Sequence, residues 1–137
     1  MINNFDFKVC DIQGRAFEMS VAKRMDSYDF IKKFMKSEVA SELDMEYSHM
    51  QWAGEEYMME VLEDIEDIKI GGQVLDKDKM YWIGFIYRYW HYYTGEKSAR
   101  ILKQAPAKEI ATSYYMFHTM DPEMAIENLK EIAEQKK

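Results

Sequence analysis

An all-α domain is the fold class this sequence predicts, on three observations. Its 137 residues include only six glycines and two prolines, so few positions invite a turn or break a helix. Apolar residues recur at three- and four-residue spacing through most of the chain, the period that lines one face of a helix. Several of these stretches begin at an Asp or Ser and end near a glycine or proline, where caps belong. A chain of 137 residues buries a core without disulfides or a structural metal, so we expect one helical domain over 1–137. About six helices around a central aromatic one is the predicted architecture.

Taken in order, the elements rest on local signals. In Met1–Ile12, Phe5, Phe7, Val9 and Ile12 nearly alternate with Asp6, Lys8 and Asp11, which predicts a short strand or an irregular segment over 1–14. From Arg15 to Arg24, Ala16, Met19 and Ala22 share a helical face with Phe17 and Val21 alongside. Asp26 or Ser27 caps a predicted helix over Tyr28–Leu43, with Phe30, Ile31, Phe34, Met35, Val39 and Leu43 inward and Lys32, Lys33, Lys36 and Glu38 outward. Ser48 opens the next, through about Glu66, whose core stripe is Met50, Ala53, Tyr57, Val61 and Ile65. Gly71-Gly72 breaks the chain, with Ile68, Ile70 and Val74 placed for a small hairpin or a loop.

After Asp76 or Asp78, the segment Met80–Tyr93 carries eight aromatic residues and is apolar all the way round. Such a helix is either the centre of the core or one whose outer face another chain covers. Thr94-Gly95 ends it, and Ser98–Gln104 forms a short helix stopped before Pro106. Ala107–Phe117 repeats the period through Ile110, Tyr114 and Phe117. Asp121-Pro122 opens the last helix, with Met124 or Ala125, Leu129 and Ile132 inward, and 134–137 are expected as a frayed tail.

Charge is distributed unevenly. Eleven carboxylates, Asp44 and Glu46 among them, lie between Ser37 and Ile68 without one Lys or Arg. The whole chain is −7, so the remainder is net positive and the acidity belongs to this segment. A one-sign surface attracts cationic partners and repels nucleic acid. On helical spacing Glu55, Glu56, Glu60, Glu63, Asp64 and Asp67 crowd together, and each like-charge pair three or four residues apart costs about 0.2–0.5 kcal/mol. Solvation explains such a face on one reading; a waiting basic partner explains it on the other, with aromatic positions near Arg88, Trp90 and His91 supplying further contact.

Motifs for chemistry are sparse. Cys10 is alone, so no internal disulfide forms, and no charged n-region with an apolar h-region opens the sequence, which favours the cytoplasm. No apolar run reaches the length of a membrane span. Glu46-x-x-His49 is the one helix-type metal pair; a metal-binding protein or enzyme using it with acids from Glu55 to Glu60 is one alternative, although no second Glu-x-x-His occurs. Nucleophile elbows, zinc spacings and phosphate loops are missing, so neither enzyme activity nor a cofactor is expected. Arg88, His91, Lys97, Arg100 and Lys103 make a mildly basic stretch beside aromatics, the basis of a second alternative, a helical DNA-binding regulator, which the acidic balance disfavours.

Several longer motifs bear on family. They are Phe30-Ile31-Lys32-Lys33-Phe34-Met35-Lys36-Ser37-Glu38-Val39-Ala40, Leu43-Asp44, Gln51-Trp52-Ala53-Gly54-Glu55-Glu56-Tyr57, Tyr81-Trp82-Ile83-Gly84-Phe85-Ile86-Tyr87-Arg88-Tyr89-Trp90 and His118-Thr119-Met120-Asp121-Pro122. Over Tyr28–Leu129 the chain resembles small bacterial helical proteins of toxin–antitoxin-like cassettes. That resemblance implies the neutralising, antitoxin side of such a pair and a basic protein partner, and it carries no catalytic residues.

Overall fold

Two glycines set the geometry at the centre of the molecule. Helix α1 (Asn4–Ala22) and helix α5 (Lys77–Thr94) cross with Gly84 pressed on Gln13 and Phe17, and Gly14 on Tyr81. A Cβ at Gly84 would stand 2.8 Å from the Gln13 carbonyl oxygen and 2.7 Å from the Phe17 ring, so only glycine permits this approach. The Gln13 side-chain amide donates to the Gly84 carbonyl at 2.9 Å, pinning the crossing. The computed structural model describes residues 2–136 and builds eight α-helices there, with one 3-10 turn and one isolated β-bridge.

The other helices wrap this pair. They are α2 (Ser27–Lys36), α3 (Glu38–Leu43), α4 (Glu55–Ile65), α6 (Ser98–Gln104), α7 (Ala107–Phe117) and α8 (Pro122–Gln135). Helices α6, α7 and α8 pack on α5, α2 bridges α1 to α6 and α7, and α4 lies against α1 and α3. One apolar cluster runs through the whole, with Phe17 edge-on to Phe30 and Phe34 at 5.0 and 4.9 Å between centroids. The aromatic segment is core: Met80, Ile83, Ile86, Tyr87, Tyr89 and Trp90 are all buried, and Gly95 closes α5 in the left-handed conformation. No described helix is long and apolar enough to cross a membrane.

Four local expectations need correction. The described part of the expected amino-terminal strand is the start of α1, capped where the Asn3 side chain accepts from the Asp6 N–H at 2.8 Å. Its buried set, Val9, Cys10, Gln13, Ala16, Phe17 and Ser20, has helical spacing, and the apparent alternation came from half-buried Phe5 and Ile12 and exposed Phe7 around it. Tyr28–Leu43 divides at Ser37, whose hydroxyl donates to the Phe34 carbonyl at 2.7 Å and accepts from the Ala40 N–H, closing α2 and opening α3. The predicted stripe there is nonetheless buried throughout.

Ser48 caps only the turn His49–Gln51, and α4 begins after Gly54, whose φ of +87° resets the helical register. The core face of α4 is therefore Met58, Met59 and Leu62. Gly71-Gly72 forms no local hairpin: Ile70 bridges to Met25, Gly71 N–H donates to the Arg24 carbonyl at 2.7 Å, and Asp26 N–H donates to the Lys69 carbonyl at 2.8 Å. The carboxylate of Asp26 caps α2 by accepting from Asp29 N–H and also takes Gln73 N–H at 3.0 Å. Burial pushes its pKa up, but these backbone donors outweigh that and hold it below the usual carboxylate range. Helix α8 runs through Gln135, and Lys137 lies outside the described residues.

Candidate partner-binding surface

Helix α4 presents two parallel rows that its own core does not use. Glu56, Glu60 and Asp64 follow one another at single-turn spacing and are exposed, and Tyr57, Val61 and Ile65 run beside them one residue on. Tyr57 and Ile65 are 42% and 44% exposed and Val61 is half-buried, so the stripe that periodicity assigns to the core stands on the shoulder of the helix. Glu55 is half-buried at the helix start, while Glu63 and Asp67 are exposed. Among the described residues only Glu63 of these six carboxylates is ion-paired, with Lys23 at 3.2 Å. Lys33 donates to the Asp67 main-chain carbonyl and leaves that carboxylate free.

The loop before α4 extends this surface with apolar side chains. Buried Gln51 donates to the Met45 carbonyl at 2.8 Å, and Ser48 accepts from the Met50 N–H at 3.2 Å, so the backbone is held from inside. On that frame Tyr47, Trp52 and Met45 project outward, 84%, 71% and 54% exposed. Trp52 leans on Phe5 of α1 at 4.7 Å between centroids, and Tyr57 meets His49 edge-on. Trp, Tyr and Met set among carboxylates is the composition of an interface core with a polar rim. These loop positions escaped sequence reasoning because they follow no helical period; their clustering between Asp44 and Gly54 was the available signal.

Arg88, Trp90 and His91, expected at the partner surface, lie inside instead. The guanidinium of Arg88 is fully buried and donates to Gln13 Oε1 at 2.7 Å, Asp44 Oδ1 at 2.7 Å and Ser98 Oγ at 2.9 Å. Ser98 returns both its N–H and its hydroxyl to the Asp44 carboxylate, at 2.8 and 2.7 Å. Asp44, one of the eleven acids, thus belongs to the interior and fastens the end of α3 to α1, α5 and α6. The Nδ1 of His91 lies 2.6 Å from the Glu96 carbonyl, which can only accept, so that nitrogen carries the proton. Burial first, then the Arg88 charge, lower the His91 pKa and keep the ring neutral.

A second junction forms at Glu96. Its carboxylate accepts from Trp90 Nε1 at 2.8 Å, Lys130 Nζ at 2.6 Å and the Gln104 amide at 2.8 Å, joining α5 to α6 and α8. Burial works to raise its pKa, but the donors, Lys130 foremost, bring it down to about 2. Each side-chain nitrogen of Arg88 and each carboxylate oxygen of Asp44 and Glu96 has a hydrogen-bond partner, so both junctions tie elements of the fold together.

The remaining candidates stand apart. Glu46 and His49 are both exposed, and among the described residues no three His, Cys, Asp or Glu side chains converge on one point. Cys10 is buried, and burial pushes its thiol well above the ordinary range, away from the thiolate that nucleophilic chemistry needs. With Arg88 and His91 inside, the basic stretch keeps only Lys97, Arg100 and Lys103 near the surface. No protein-family model, curated protein or solved structure matches this chain.

Proposed function

We propose that this chain is a cytoplasmic protein-binding module of the antitoxin type, which neutralises a basic partner protein by covering its functional surface with α4 and the loop before it. The observation that carries this reading is the pair of unsatisfied rows on α4, Glu56–Glu60–Asp64 and Tyr57–Val61–Ile65, beside outward-facing Trp52 and Tyr47. Repulsion within the acidic row works against the free fold, so a cationic surface laid on it recovers that energy on binding. The aromatic side chains would supply affinity, and the carboxylates on-rate and partner choice.

The test is co-expression of the tagged chain with its neighbouring genes, alongside an E56K/E60K/D64K variant and a Trp52→Ala variant. We expect a stoichiometric complex with one basic protein, weakened by salt, lost on charge reversal and loosened by Trp52→Ala, together with relief of that protein's toxicity. A partner retained by the charge-reversed chain, or neighbouring genes whose toxicity the chain leaves unchanged, would sink the proposal.

A further inference from the structure

A lysine-rimmed groove lies between α2 and the corner joining α6 to α7. Its floor is Tyr28, Leu102, Pro106 and Ala107, its rim is Lys32, Lys36, Lys103 and Lys108, and its cavity measures about 440 Å³. Lys108 Nζ stands 5.8 Å from the centre of the Tyr28 ring. Among the described residues none of the four rim lysines has a carboxylate partner, although Lys33, beside them on α2, pairs with Asp29. An apolar trough flanked on both sides by free ammonium groups is shaped for an acidic amphipathic helix lying in it.

We propose that the occupant is α4 of a second copy of this chain. The match is one of spacing as well as sign. Lys32 and Lys36 are one helical turn apart, and so are Glu56, Glu60 and Asp64, so the two rows run at a common interval. Beside its acidic row α4 carries Tyr57, Val61 and Ile65, and beside its lysines the groove carries apolar floor, so closing one on the other buries both kinds of surface together. Groove and α4 are made by different elements, so each copy offers both halves, and two copies can make the contact once or, about a two-fold axis, twice. The inference rests on the reading of α4 as a docking element, and self-association would hold that helix covered until a more basic partner displaces the second copy.

Sedimentation velocity on the full chain alone, from low micromolar upward at low and at high salt, tests it. Wild type should form species heavier than a monomer at low salt and dissociate at high salt. A K32E/K36E/K103E/K108E variant and the E56K/E60K/D64K variant should each associate at least about tenfold more weakly, every substituted residue being exposed. Mixed one to one, the two variants should associate again, since each keeps the half its partner needs. Wild type that remains monomeric at low salt, variants that associate as wild type does, or a mixture no heavier than its parts would each overturn the contact. A foreign partner captured through α4 while wild type stays monomeric would remove this inference and leave the proposed function standing.

Discussion

Replacing Arg88 by methionine tests whether the buried polar junction holds the fold together. The side chain is fully buried and spends its donors on Gln13, Asp44 and Ser98. Methionine fills a similar volume but strips the cation from Asp44, leaving a carboxylate at 8% exposure with Ser98 as its remaining hydrogen-bond partner and the neutral His91 ring 3.6 Å away. Removing one member of a buried ion pair costs about 3–5 kcal/mol, a large share of the roughly 5–15 kcal/mol by which a domain is stable. At about 3 °C per kcal/mol for a domain of this size, Tm should fall by roughly 9–15 °C. Urea unfolding of wild type, Arg88→Met, Asp44→Asn and the double variant gives the coupling directly. The double variant should be less destabilised than the sum of the singles by about 0.5–3 kcal/mol, because it buries no unpaired charge. A loss below about 1 kcal/mol for Arg88→Met, or strict additivity, would refute the account of this junction.

Three further outcomes follow from the packing and the electrostatics. Gly84→Ala places a methyl 2.8 Å from the Gln13 carbonyl and should destabilise by about 1–3 kcal/mol in urea unfolding, despite alanine's better helix propensity. Glu96 titrates below its ordinary 4.5, so its contribution is whole above that value and fades as pH drops towards about 2. The lowered His91 pKa acts in the same sense nearer neutrality, its share being lost as pH falls below the ordinary 6.5; urea midpoints should therefore decline in two acid stages, and Glu96→Gln should flatten the lower one. Cys10 should stay silent to a thiol reagent in the native protein at mildly alkaline pH and react once urea unfolds it; rapid native labelling would contradict its burial.

What the sequence determined by itself is what neighbouring residues decide among themselves. The all-α class, the buried stripe from Phe30 to Leu43, the caps at Asp26 and Asp121 and the glycine stop at Gly95 all depend on periodicity, on φ or on a side chain reaching backbone a few positions away. The aromatic segment, with no polar face to turn outward, had to be covered on all sides, but that its cover is α1, α6, α7 and α8 of the same chain, and not a second chain, was decided by the packing. Only the tertiary structure decided which face of α4 is buried, because Gly54 restarts the helix and packing against α1 and α3 selects Met58, Met59 and Leu62 over the equally periodic Tyr57, Val61 and Ile65. It alone set Asp44 apart from the other acids, since its partner Arg88 lies 44 residues along the chain. The Gly71-Gly72 segment likewise pairs with the α1–α2 connection and not with its own flanks. Charge and hydrophobicity are properties a residue carries in the chain; whether they are spent inside or left outside for a partner depends on which distant residues the fold brings against them.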